Sequence, residues 1–107
     1  MVLPALSDIL AARERISGKV DHTPLLYSPG LSARLGFPLH LKMECWQRCG
    51  CFKVRGAVSA VSALTAAERG RGLVTCSSGN HGLALAYAAS LVGHPPTTVF
   101  VPQGARE

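Results

Sequence analysis

Gly50-Cys51-Phe52-Lys53-Val54-Arg55-Gly56-Ala57 and Ser77-Ser78-Gly79-Asn80-His81 are the two stretches from which the fold can be read. In the first, a glycine-containing turn gives way to an apolar-periodic helix, so Lys53 falls in its first turn. A lysine held there is carried by fixed backbone rather than by a mobile arm. A helix N-terminus disfavours the ammonium, and desolvation by neighbours such as Phe52 and Val54 is expected to add to that effect. Such an amine suits covalent carbonyl chemistry through a Schiff base, which needs it deprotonated. A solvated surface charge is the other reading.

Downstream of Lys53, Val54, Ala57, Val58, Val61 and Leu64 recur at offsets of three and four, the stripe of an amphipathic helix. Thr65-Ala66-Ala67-Glu68 has capping-box spacing and predicts a further short helical turn. Leu73–Cys76 is short and β-prone, and Ser77–Gly79 is a loop. Asn80 or His81 then opens a helix containing Leu83, Leu85, Tyr87 and Leu91. Gly93 closes that helix, Pro95-Pro96 blocks its continuation, and Thr97–Val101 reads as a strand. A strand-loop-helix-strand unit predicts a crossover between parallel strands, with its ligand side at the carboxyl end of the first strand, where Ser77–His81 lies.

Upstream, Ser7 is expected to cap a helix running to about Ser17, with Leu6, Ile9, Leu10 and Ile16 on its apolar side and Gly18 as its stop. His22–Leu26 reads as extended because Pro24 pushes Thr23 out of the helical region. Leu31–Leu35 predicts a short helical turn stopped by Gly36. Leu39–Glu44 alternates apolar and polar, the period of a strand with one buried face.

The chain has 107 residues, enough for one small domain, with 48% hydrophobic and 16% charged residues, a core-forming composition. Eleven Lys and Arg against six Asp and Glu give +5, but the basic residues are spread singly and only one Trp, two Tyr and three Phe offer stacking surfaces. Anions in general are favoured, and nucleic acid is not expected. The start lacks a secretory pattern, and no apolar run approaches the roughly 20 residues needed to cross a bilayer. A cytoplasmic chain with reduced Cys45, Cys49, Cys51 and Cys76 is the expectation, and their spacing matches structural zinc sites poorly.

The loop Ser77–His81 combines small residues with a helix start, so its backbone amides and the helix dipole suit a carboxylate or a phosphate. Ser77, Ser78, Asn80 and His81 add side-chain donors, and Gly79 admits close backbone approach. A capped helix after a tight turn is the alternative.

Together these residues resemble the fold-type II pyridoxal phosphate enzymes, and within them the serine/threonine dehydratase and serine racemase group. The resemblance runs through His22-Thr23-Pro24-Leu25, Leu41-Lys42-Met43-Glu44, Gln47, Gly50, Phe52-Lys53 and Arg55-Gly56-Ala57. It continues through Ser77–His81 and Ala86-Tyr87-Ala88-Ala89 to Val101-Pro102, nearly the whole chain. It implies an α/β fold, the N-terminal portion of a two-domain enzyme: residues 1–107 would be the opening of the large domain and part of the smaller one. It also implies that Lys53 carries pyridoxal 5'-phosphate, that Phe52 packs by the cofactor ring and that Asn80 hydrogen-bonds its phenolic oxygen. Ser77, Ser78, Gly79, Asn80 and His81 would bind the carboxylate of serine or threonine. The implied reaction is loss of the β-hydroxyl after removal of the α-proton, giving a 2-oxo acid and ammonia.

Ser78 resembles the second serine of the racemase form, Ser-Ser-Gly-Asn, where many dehydratases have Ser-Ala-Gly-Asn. A serine racemase-like enzyme is therefore the alternative activity, and a truncated, non-catalytic fragment is the alternative of another class. Cys51 departs from the usual Gly-Ser-Phe-Lys, and a thiol is a weaker donor to a phosphate. The family's glycine-rich phosphate loop lies downstream, and no glycine tetrad occurs before Glu107. Apolar surface and open strand edges are expected, to be covered by further segments or by a homo-oligomer.

Overall fold

In a computed structural model, residues 3–105 are described. Helix α1 spans Leu6–Ile16, β1 Leu25–Tyr27, α2 Pro29–Leu35 and β2 His40–Lys42. Two 3-10 turns, Glu44–Trp46 and Arg48–Gly50, lead into α3, Lys53–Ala63. Helix α4, Ala66–Gly70, β3, Leu73–Cys76, α5, Asn80–Ser90, and β4, Thr97–Phe100, complete the order.

The core forms where α3 and α5 meet. Val54, Ala57, Val58 and Val61 of α3 are buried against Ala84, Leu85, Ala88 and Ala89 of α5, with Leu73 of β3 closing the cluster. The α3 stripe is the one its spacing predicts. On α5, Leu83 and Leu91 are exposed, and the buried side is Gly82, Ala84, Leu85, Ala88 and Ala89. Small side chains let the two helices approach closely, whereas the larger leucines stand outside the contact.

Strands β3 and β4 pair in parallel, Leu73 with Thr97 through Cys76 with Phe100, and α5 is the crossover between them. Strands β1 and β2 form a separate antiparallel pair, Leu25 with Lys42 through Tyr27 with His40. The expected buried face of β2 is not observed. Its three residues are all exposed, because no element among the described residues packs across the β1–β2 pair.

Helix α1 also departs from the reading. Ser7 lies inside it; Ala5 is the cap residue, and its amide donates to Asp8 Oδ2 at 2.8 Å. Leu6, Ile9 and Leu10 are exposed, and only Ile16, at the far end, packs against the core. Val74, Phe100 and Val101 likewise leave apolar surface on and beside the β3–β4 pair. Thr65 and Glu68 do form the predicted capping box: the Glu68 amide donates to Thr65 Oγ1 at 3.2 Å, and the Thr65 amide to Glu68 Oε2 at 2.7 Å. No helix among the described residues is long and apolar enough to cross a membrane.

Candidate active site

Lys53 is the first residue of α3 and Phe52 its cap. Val54 is fully buried and anchors the turn, but Lys53 itself is exposed, so the expected desolvation of its amine by neighbours is not provided by the described residues. Phe52 is 60% exposed, and Lys53 Nζ sits 5.3 Å from its ring centroid, a cation–π contact. Cys51 is buried, and its neighbour Cys49 has its thiol pushed up by burial first and by Cys51 second. All four cysteines are free.

The turn before Lys53 bends sharply. Cys49 adopts φ 63° and Gly50 φ 66°, consecutive left-handed residues that reverse the chain before Cys51 extends. Buried Gln47 holds this turn in place. Its Oε1 accepts from the amides of Asp21 at 2.9 Å and Arg48 at 3.0 Å, while Nε2 donates to Asp21 O at 2.7 Å. Both polar atoms that its burial takes from water are thereby bonded.

A second network involves Arg55. Its Nε donates to Glu44 Oε2 at 2.8 Å and its Nη2 to Glu44 Oε1 at 2.7 Å, a two-point ion pair. The buried Thr23 hydroxyl donates to Glu44 Oε1, and Lys42 Nζ donates to the Thr23 carbonyl. The Arg55 guanidinium, above all, holds the Glu44 carboxyl down at about 2, against partial burial that pulls the other way. Thr23, Lys42, Glu44, Gln47 and Arg55 were visible in the sequence as parts of the resemblance, but nothing in their spacing showed that they bond to one another.

The loop Ser77–His81 joins β3 to α5. Ser77 Oγ accepts from the amides of Gly79 at 3.2 Å and Gly82 at 3.0 Å, so this side chain is occupied in shaping the loop. Ser78, Gly79, Asn80 and His81 are exposed, and the side chains of Ser78, Asn80 and His81 have no hydrogen-bond partner among the described residues. An open groove of about 440 Å³ runs beside the loop, lined by Ser77 to Asn80 and by Leu83, Val99 and Val101 among others. Lys53 and Phe52 do not line it. Gly82, which no sequence motif singled out, is buried where α5 crosses the sheet. A Cβ there would lie 3.1 Å from Val99 Cγ1 and 3.4 Å from Ser77 O.

These residues suit pyridoxal phosphate by their chemistry: an accessible primary amine, a flanking aromatic ring, and an unsatisfied amide side chain beside hydroxyl and imidazole donors. The amine and the loop donors start two helices that share one core.

The family described as pyridoxal-phosphate dependent enzymes matches residues 16–107. L-threo-3-hydroxyaspartate ammonia-lyase of Saccharomyces cerevisiae is 43% identical over 105 residues, which are 98% of this chain and 32% of the yeast enzyme. The crystal structure of serine racemase from Dictyostelium discoideum superimposes with a TM-score of 0.89 at 40% identity, covering 96% of this chain and 34% of that one. The crystal structure of threonine deaminase from T.th. gives a TM-score of 0.83 at 42% identity, covering 94% and 32%. The chain thus spans about a third of the length of the curated relatives it matches. Matched in sequence over all but its first fifteen residues and in fold over nearly its whole length, it belongs to the fold-type II pyridoxal-phosphate-dependent enzymes, of which it corresponds to the N-terminal portion.

Proposed function

We propose that this chain supplies the lysine and the substrate loop of a serine/threonine dehydratase, an ammonia-lyase that forms a 2-oxo acid and ammonia. On this reading residues 1–107 are the start of the large domain and part of the smaller one. The observation that carries it is the set of unpartnered donors Ser78, in the loop before α5, and Asn80 and His81, in its first turn, with α5 packed on the helix that begins with Lys53.

Pyridoxal phosphate, when bound, supplies an electron sink for bond breaking at the substrate's α-carbon. Lys53 Nζ would hold the cofactor and, once its amine is free, would accept the substrate's α-proton. Asn80 would donate a hydrogen bond to the cofactor's phenolic oxygen, and Phe52 would pack by its ring. The first-turn amides of α5, with Ser78 and His81, take the substrate carboxylate, while Ser77 keeps the loop in shape. The β-hydroxyl leaves as water, and hydrolysis of the carbon–nitrogen bond yields the 2-oxo acid and ammonia.

Ser78 favours a second reading, a serine racemase-like activity. Racemisation needs a proton donor on the face opposite the lysine, and Ser78 has no internal bond that would withhold its hydroxyl.

The test is a near-visible absorption spectrum of the purified chain with pyridoxal phosphate, followed by borohydride reduction, peptide mapping and an ammonia-release assay on L-serine and L-threonine. A new band, an adduct on Lys53 rather than on Lys19 or Lys42, and ammonia release are expected. A folded chain with no preferred adduct on Lys53 would count against the assignment of that residue.

A further inference from the structure

Arg55 stands two residues after Lys53 in the same turn, its amide donating to Phe52 O at 3.1 Å. The first turn of a helix is its least constrained, and this one has neither a side-chain cap bond nor an acidic residue to hold it. Two anchors fix its rotation instead. Val54, fully buried, sits in the core on one side, and Arg55 is held in the carboxylate of Glu44 on the other. Lys53 lies in sequence next to the first anchor and two residues from the second.

The Glu44 end of the pair is itself fixed. Thr23 donates its hydroxyl to Glu44, Lys42 donates to the Thr23 carbonyl, and Arg55 Nη2 also reaches Asp21 O at 3.1 Å. The segment before β1, the 3-10 turn that begins at Glu44 and the first turn of α3 therefore meet at one guanidinium, with Lys42 at the end of β2 joined to them through Thr23. The remainder of α3 is held by Ala57, Val58 and Val61 whether or not that pair forms.

We propose that Arg55 is a positioning residue for the Lys53 amine: its two-point bond to Glu44 sets the rotation of the first turn of α3 and so the place at which Nζ is presented. The inference rests on Lys53 being the cofactor-bearing lysine. Arg55 need not touch cofactor or substrate to act in this way, since a small misplacement of a reacting group costs far more rate than stability.

The chain has three lysines, Lys19, Lys42 and Lys53, and Lys19 lies outside the network, so it serves as an internal control. The full chain and the variants Arg55→Gln, Glu44→Gln and Arg55→Lys are compared after reductive dimethylation with ¹³C-formaldehyde, with folding checked by circular dichroism. In R55Q and E44Q the Lys53 dimethylamine NMR signal is expected to move towards that of a free side chain, while the Lys19 signal stays in place. Trapping of pyridoxal phosphate on Lys53, relative to Lys19, is expected to fall on the order of tenfold. R55K, which keeps one charged contact, is expected to fall between wild type and R55Q. E44Q, the milder change, decides the matter if R55Q does not fold. An unmoved Lys53 signal and an unchanged trapping rate in folded variants overturn the proposal. A wild-type chain that never traps the cofactor on Lys53 overturns the functional assignment instead, because the NMR signal reads the coupling without cofactor.

Discussion

Ser77 Oγ accepts the amide of Gly82 at 3.0 Å, bonding the residue after β3 to the first turn of α5. With the bond from Gly79 at 3.2 Å, it closes the loop from inside. The amides of Asn80 and His81 are left without partners among the described residues. One serine shapes the loop so that the residues between it and Gly82 remain open to a ligand.

Gly82→Ala tests that closure. The new methyl would press on Val99 Cγ1 at 3.1 Å, a stiff β-branched side chain, and would come into ordinary contact with the carbonyl of Ser77 at 3.4 Å. Crowding of this kind costs about 1–3 kcal/mol, and the better helix propensity of alanine returns about 1 kcal/mol. A net loss of about 1 kcal/mol in urea unfolding is expected, with weaker protection of the Gly79 amide in hydrogen exchange. A more stable G82A chain would contradict the close approach.

Two parts of the fold were legible for different reasons. The α3 stripe, Val54 to Val61, could be read because a helix with one buried side repeats at three and four. The β3–α5–β4 unit could be read because Gly93 and Pro95-Pro96 punctuate it. Helix α1 and strand β2 carry equally regular patterns yet stay exposed, since periodicity says which residues share a face and not what covers it. The site divides in the same way. Lys53 and the loop were visible as local motifs, whereas Arg55 with Glu44 and Gln47 with Asp21 are pairs made by the chain's path, 11 and 26 residues apart. Nor could spacing tell that Ser77 bonds inward while Ser78 does not.

Tyr87 joins α5 to two other segments. Its hydroxyl donates to Lys19 O at 2.8 Å and accepts from Arg48 Nη1 at 3.0 Å. Tyr87→Phe leaves a partly buried carbonyl unpaired and should cost about 1 kcal/mol by urea unfolding. Arg48→Ala should cost less, because its pairing with Asp21 at 3.3 Å is solvent-exposed. The reverse order would show that Arg48, not the Lys19 carbonyl, is the partner that counts.

Ser78→Ala separates the two proposed activities. A proton donor on the face opposite the lysine is needed for racemisation and not for elimination, and such a donor contributes on the order of a hundredfold. In a preparation that catalyses both, D-serine formation by chiral chromatography should fall by about that factor while 2-oxo acid release changes little. Equal loss of both would reject the donor role and leave Ser78 as a carboxylate ligand.

Acid should undo the Glu44–Arg55 pair in a defined window. In the folded chain the Glu44 carboxyl is held at about 2, below its ordinary 4.5, chiefly by the Arg55 guanidinium. The unfolded chain therefore binds the proton more readily, and stability must fall as pH falls. The contribution is fully present above pH 4.5 and is lost as pH drops through about 2. The pair is partly exposed, with 30% and 18% of its side-chain surfaces open, so solvent screening reduces its contribution to on the order of 1–2 kcal/mol. Glu68, lowered by the Thr65 amide and hydroxyl, titrates in the same direction, which makes the comparison with E44Q necessary. Glu44→Gln removes only the Glu44 part, so the stability gap between wild type and E44Q should be widest above about pH 5 and shrink towards about pH 2. Urea unfolding at closely spaced pH values measures that gap, and one that stays constant with pH would mean that the carboxylate is not held by Arg55.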